Sequence, residues 1–180
     1  MKVTSPVFQL RPAAPRDVRA IRELVEPYAH ERILIAKEAV AYYEAIQEFV
    51  VAHPVGEPHT IIGCGALHVM WEDLAEIRTL AVSQHHRGHG IGDALVTELL
   101  HRAHTMQLSR VFCLTFEVDF FTRHGFHPID GTPVSTEVYA ELLRSHDDGI
   151  AEFLDLARVK PNTLGNTRML IELNENPPHP

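Results

Sequence analysis

Two cysteines, one tryptophan and no long apolar run distinguish this 180-residue chain by what it lacks. Cys64 and Cys113 form no CxxC pair, so neither a zinc framework nor a dithiol redox motif is indicated. They read as small buried apolar residues, and a single disulfide stays open. The start, "MKVTSPVFQLRPAAPRDV", has no unbroken apolar core of the signal-peptide kind. No stretch approaches the roughly 20 apolar residues of a membrane span. An excess of basic charge is missing as well. The net charge of −8 speaks against nucleic acid or an anionic membrane as a partner, since either would want a basic face. Repeats and low-complexity blocks are absent. These absences leave a cytoplasmic globular chain. Its hydrophobic share of 45% suffices for the core of one domain over 1–180, with 173–180 as a frayed tail.

Hydrophobic periodicity orders the rest. "VFQLR" alternates like a short strand, and a helix follows it, with Pro15 and Asp17 in the first turn and Val18, Ile21, Val25 and Tyr28 on one face. Pro27 is expected to bend or end that helix. Helical character returns from about Glu38 to Gln47. "FVVAH" and "HTIIGCGALHVMW" read as two strands around a "PVGEP" turn. In the second, Gly63, Gly65 and Leu67 face one way and Cys64, Ala66 and His68 the other. "AEIRTLAV" is a further strand, on which alternation places Glu76, Arg78 and Leu80 on one face. "IGDALVTELLHRAHTMQ" is the clearest helix, with Ile91, Leu95, Leu99 and Ala103 spaced by four. "RVFCLTF" is a buried strand, "VDFFTRHGF" a short helix closed by Gly125, Pro133–Lys160 a polar helix-prone segment, and "TRMLIEL" a last strand.

Between strand and helix lies "SQHHRGHGIGDALV", with Gly88, Gly90 and Gly92 at every second position. A helix that starts directly after a glycine loop presents unpaired N–H groups and the positive end of its dipole. The glycines let the backbone come close to an anion, which makes a phosphate cradle. A Walker loop is excluded, because no lysine or hydroxyl follows. A dinucleotide fingerprint would read GxGxxG, whereas the order here is GxGxG with Asp93 next. What fits is R-x-x-G-x-G, formed by Arg87, Gly90 and Gly92. His85, His86 and His89 lie beside it without a carboxylate or cysteine at ligand spacing, so no metal is expected.

This combination of helices, strand, Arg-Gly loop and "FFTRHGF" resembles the GNAT family of acetyl-CoA-dependent N-acetyltransferases over nearly the whole chain. The resemblance implies a mixed α/β fold with a central, mostly antiparallel sheet, one splayed parallel pair and helices on both faces. It implies that Arg87, Gly88, His89, Gly90, Ile91 and Gly92 hold the coenzyme A pyrophosphate, and that backbone groups of Leu80, Ala81 and Val82 pair with the pantetheine arm. Many members carry a tyrosine before the closing "GF" that protonates the leaving thiolate; here that slot is Phe121. The amino-acid branch, the N-acetylglutamate synthases, is similar at this point and also at "GCGALHVMW", "AEIRTLAV" and "NTRMLIEL". The likeness is to short bacterial forms without an amino-acid-kinase domain.

For an amino-acid acceptor the resemblance implies contacts from Lys37, Asn166 and Thr167. Arg78 is a candidate from its place on the strand, and Lys160 or Arg168 stand in for an arginine that Gly165 replaces. The amine must be neutral to attack, so a base raises the rate. Glu76 is the first candidate and His68 the second, with a backbone N–H near Leu80–Ala81 for the oxyanion. The expected reaction is acetylation of L-glutamate or L-glutamine, the first step of arginine biosynthesis. Another small amine, a protein N-terminus, or a non-catalytic acetyl-CoA-binding module are the alternatives, and a homodimer is left open.

Overall fold

The computed structural model describes residues 7–159 and 164–173; Lys160 and the expected tail from 174 onward lie outside the described residues. In chain order the elements are β1 (Phe8–Pro12), α1 (Val18–His30), α2 (Ala39–Glu44), β2 (Phe49–Pro54), β3 (Gly63–Trp71) and β4 (Leu74–Val82), then α3 (Ile91–Thr105) and β5 (Arg110–Thr115). They continue with α4 (Val118–Arg123), β6 (His127–Pro128), α5 (Thr136–Leu142), α6 (Asp148–Phe153) and β7 (Thr167–Glu172). The strands form one seven-stranded sheet in the order β1-β2-β3-β4-β5-β7-β6. β1–β2, β2–β3, β5–β7 and β6–β7 pair antiparallel. β4 and β5 pair parallel, with Leu74, Ala75 and Glu76 opposite Arg110, Val111 and Phe112. β4 then runs on to Val82 while β5 continues along β7, which is the expected mixed sheet with one parallel pair.

The chain groups into two compact units, one of residues up to Ala66 with Thr79–Leu99, the other of Leu67–Arg78 with residues from Leu100 on. In the first unit the period-two pattern of β3 decides which helix packs where. A Cβ built on Gly63 would stand 2.8 Å from Ile91 Cγ2, and one on Gly65 would stand 3.0 Å from Leu80 and Leu99, so α3 lies directly on that face. Cys64 and Ala66, on the other face, join Val18, Ile21, Val25, Tyr42 and Ile46 in one cluster beneath α1 and α2. Ile91, Leu95, Leu99 and Ala103 are all buried, as their spacing predicts.

In the second unit Met70, Leu74, Phe112, Leu142, Ile150, Phe153 and Leu170 form a separate core, with Phe112 and Phe153 edge to face at 4.9 Å. The segment expected to be loosely helical resolves into α5 and α6. Each is capped by a side chain: Val138 N donates to Ser135 Oγ, and Ile150 N to Asp147 Oδ1.

Four local expectations are corrected. Of the two effects expected of Pro27, ending α1 is ruled out, since the helix runs on to His30; so near the C-terminus a proline forfeits one N–H bond, and its carbonyl still accepts from Glu31 N. α2 closes at Glu44 rather than Gln47, because Ala45 leaves the helical region and a 3-10 turn, Ile46–Glu48, leads into β2. β3 starts at Gly63, the preceding residues being drawn into a turn in which Thr60 N donates to Glu57 O. Finally, Thr79 sits at φ +55° in the middle of β4 and breaks its alternation. Leu80 therefore turns toward Gly65 and α3, and Ala81 joins the α1–α2 cluster, whereas Glu76 and Arg78 face Asp147 and α6. Glu76, Arg78 and Leu80 do not share one environment.

A buried ion pair fixes the start of α1. Arg11 donates to both oxygens of Asp17 at 2.6 and 2.8 Å, and Ala14 N donates to Asp17 Oδ2 at 2.7 Å. Asp17 is only 3% exposed. The bonds from Arg11 hold its carboxyl below the ordinary Asp range. A depressed carboxyl stabilises the fold above the unfolded-state pKa and loses that effect as the pH falls through the native one. Asp17→Ala removes two charge-assisted bonds from Arg11, which keeps its bonds to Pro12 O and Pro58 O, and one bond from Ala14 N, and is expected to cost about 3 kcal/mol. Thermal unfolding would show this as a Tm lower by about 6–12 °C at neutral pH, a gap that narrows in acid.

Candidate active site

The glycine loop is built by the end of β4 and the start of α3. Ser83 N donates to Ile62 O at 2.8 Å, which anchors the end of the strand. A 3-10 turn, Gln84–His86, then delivers Arg87 in an extended conformation. Gly88 and Gly90 follow at φ +76° and +77°, a region open to glycine at little cost. A Cβ at either position would meet nothing within 4 Å, so the backbone lies open to a ligand there. His89 Nδ1 lies 2.9 Å from Arg87 O and 3.2 Å from His86 O, which curls the loop, and Ala94 N closes the first turn of α3 on Gly90 O. Together with the unpaired N–H groups of a helix N-terminus, this geometry fits phosphate oxygens. Among the described residues no group of three His, Cys, Asp or Glu has a metal-binding arrangement.

The candidate base lies in the second unit. Glu76 is 5% exposed, and its Oε2 accepts from Arg78 Nε at 3.0 Å and from Nη2 at 2.7 Å. On its other side Arg78 Nη1 donates to both oxygens of Asp147, at 2.9 and 3.1 Å. One guanidinium is thus shared by two carboxylates. Gly149 makes the arrangement sterically feasible, since a Cβ there would stand 2.6 Å from the Arg78 guanidinium. Asp147 and Gly149 are absent from the residues expected in the sequence. They lie about seventy positions from Arg78 in a polar stretch, and the only local signal is that Asp147 can cap α6. His68 is half-buried on β3.

Lys37 is placed in the first unit, beside a cavity of about 580 Å³ between α1 and α2 that Arg19, Arg22, Glu23, Glu26 and Tyr42 also line. Burial pushes the Tyr42 phenol up to about 12, so it stays a neutral hydroxyl. Asn166 and Thr167 are half-buried at the start of β7, where Thr167 is registered against Thr115. Arg168 cannot stand in for the arginine that Gly165 replaces. It points inward, donating to the carbonyls of Gly131, Glu152 and Phe153, with its guanidinium 5.1 Å from the Phe112 ring. Lys160 lies outside the described residues. Phe121, in the slot where many relatives have tyrosine, is buried against Phe120 and Phe126.

The family model described as "Acetyltransferase (GNAT) family" matches residues 18–126, which include the loop, the Glu76 strand and Phe121. The chain belongs to this acetyltransferase family. As a GNAT protein it is an acetyl-CoA-dependent N-acetyltransferase. It is 56% identical over 164 residues to an amino-acid acetyltransferase of Mycobacterium tuberculosis, covering 91% of this chain and 94% of that one. A crystal structure of a Mycobacterium tuberculosis protein in complex with CoA and NLQ superposes with a TM-score of 0.89 at 55% identity, covering 92% of this chain and 99% of that one. The Neisseria gonorrhoeae N-acetylglutamate synthase complexed with coenzyme A and N-acetyl-glutamate shares the fold at a TM-score of 0.73. Its identity is 20%, and the match covers 95% of this chain and 36% of that one.

The contact between Gly149 and Arg78 can be tested by coupling. Gly149→Ala should lower stability by about 1–3 kcal/mol in denaturant unfolding, because a fixed guanidinium must move. In the Arg78→Ala background the same change should cost measurably less. Equal costs in both backgrounds would show that the Cβ is accommodated elsewhere.

Proposed function

We propose that this GNAT enzyme acetylates the α-amino group of an amino acid, with L-glutamate or L-glutamine as acceptor, at the first step of arginine biosynthesis and in the cytoplasm. The name of the relative with which it shares 56% identity supports an amino-acid acceptor. The observation that carries the chemistry is the buried Glu76 carboxylate, held by Arg78 through one oxygen. With both bonds on Oε2, Oε1 is the oxygen that takes the proton from the acceptor ammonium, directly or through water. Arg78, shared with Asp147, acts here by orienting Glu76, and it is the weaker of the two proposed acceptor contacts. Lys37 is the stronger, since it lines a cavity where two further cations, Arg19 and Arg22, offset Glu23 and Glu26. Asn166 and Thr167 supply polar contacts at the start of β7, and His68 is the alternative base.

The donor side is the Arg87–Gly92 loop for the phosphates of coenzyme A and the backbone of Leu80, Ala81 and Val82 for its pantetheine arm. Transfer is direct. A cysteine nucleophile acts as thiolate, and burial pushes the Cys64 thiol up to about 12 and raises Cys113 well above its ordinary value. Both are free and buried.

An assay of acetyl-CoA consumption across the free amino acids tests the acceptor class; equal use of a carboxylate-free amine would refute it. Glu76→Gln, which keeps an oxygen for Arg78, should lower turnover at pH 7 by roughly 10²-fold. Much of the loss should return at high pH, where the acceptor deprotonates unaided. A loss that is flat across pH would make Glu76 structural and move the role to His68. Lys37→Ala should raise the acceptor KM by about tenfold and leave that of acetyl-CoA unchanged, as expected for one charge-assisted contact.

A further inference from the structure

The last turn of α1 places Tyr28 at the start of the glycine loop. Its hydroxyl donates to Val82 O at 2.6 Å and accepts from Arg87 Nη2 at 2.7 Å. The Arg87 guanidinium carbon also stands 5.3 Å from the centre of the Tyr28 ring, within cation–π range. A single side chain therefore grips the last residue of β4 and the first residue of the R-x-x-G-x-G stretch. Tyr28 is itself fixed, because its carbonyl accepts from Ile33 N at 2.9 Å and from Leu34 N at 3.2 Å, which closes the end of α1.

The tether sits where ordering costs most. Gly88 and Gly90 have the widest backbone freedom of any residue, and a loop containing both must be ordered before its amides can converge on a phosphate. The Arg87 side chain is long and exposed, so without a partner it would sample many rotamers. The stacked and hydrogen-bonded tyrosine removes that freedom in advance.

We propose that Tyr28 is a positioning residue for coenzyme binding, holding Arg87 and the Val82 carbonyl in the arrangement that the coenzyme meets. This rests on the reading of Arg87–Gly92 as the phosphate loop. Tyr28 acts through Arg87, so its effect falls on the coenzyme and not on the acceptor. The opposite role is also defined: if Tyr28 holds Arg87 away from the phosphates, removing the hydroxyl strengthens binding.

The test uses the full chain and calorimetric titration with coenzyme A, with thermal melts to confirm folding. Tyr28→Phe keeps the ring and removes both hydroxyl bonds; it should raise the Kd for coenzyme A, and the KM for acetyl-CoA, by about tenfold. The acceptor KM should stay in place and the change should be concentrated in KM rather than kcat. Tyr28→Leu, which removes the ring as well, should bind more weakly still. Tyr28→Phe combined with Arg87→Ala should lose less than the sum of the two single losses. Unchanged or tighter coenzyme binding by Tyr28→Phe, or strictly additive losses in the double variant, would overturn the proposal. Gly90→Val separates it from the loop reading. If Gly90→Val binds coenzyme A as the wild type does, the loop reading fails. If Gly90→Val loses binding while Tyr28→Phe keeps it, only the role of Tyr28 fails.

Discussion

A threonine held at φ +55° in the middle of β4 is the constraint on which the course of that strand depends. The left-handed region is a poor place for a β-branched residue; such a conformation costs on the order of 1–3 kcal/mol and persists only where its surroundings impose it. Thr79 is buried, and its carbonyl accepts a bond from the Cys64 thiol. The residues before it direct a carboxylate and a guanidinium toward Asp147 and α6. The residues after it pack into the layers around α3 and α1, and their backbone leads on to the glycine loop. A regular strand would put Glu76, Arg78 and Leu80 on one face. The reversal gives a single strand two separate environments, one against Asp147 and one against the α3 and α1–α2 layers.

Much of this was legible in the sequence because it is local. The spacing of Ile91, Leu95, Leu99 and Ala103, the alternation of Gly63 and Cys64, and the three glycines after Arg87 each carry their physical reason within a few residues. The family motif added the mixed sheet and its parallel pair. The reversal at Thr79 left no trace, since nothing in "EIRTLAV" asks for a positive φ. The clamp on Arg78 was equally hidden, because Asp147 and Gly149 reach it across a long sequence separation and are spelled as ordinary linker residues. Arg168 is expected from the sequence as a replacement charge for the arginine missing at Gly165, but its five donors also suit it to backbone carbonyls, and those of Gly131 and Glu152 lie far from it in sequence.

Charge is handled locally throughout. The acidic chain gives no long-range attraction for a phosphate-bearing donor such as acetyl-CoA. Arg11 serves Asp17, Arg78 serves Glu76 and Asp147, and Arg87 rests on Tyr28. Each guanidinium is matched at short range to planar or bidentate partners, a geometry that lysine could not reproduce. Intramolecular pairs held this close should be less sensitive to ionic strength than interactions that rest on net charge.

The two thiols have a practical consequence. Transfer of an acetyl group from coenzyme A releases a small, freely dissolved thiol, whereas Cys64 and Cys113 are sealed in the interior with their protons held by burial. A disulfide reagent added to the reaction would therefore report the product and leave the folded catalyst unlabelled. The same burial should spare the protein from alkylating agents and from mild oxidants for as long as it stays folded, so the appearance of reactive protein sulfur becomes a marker of unfolding.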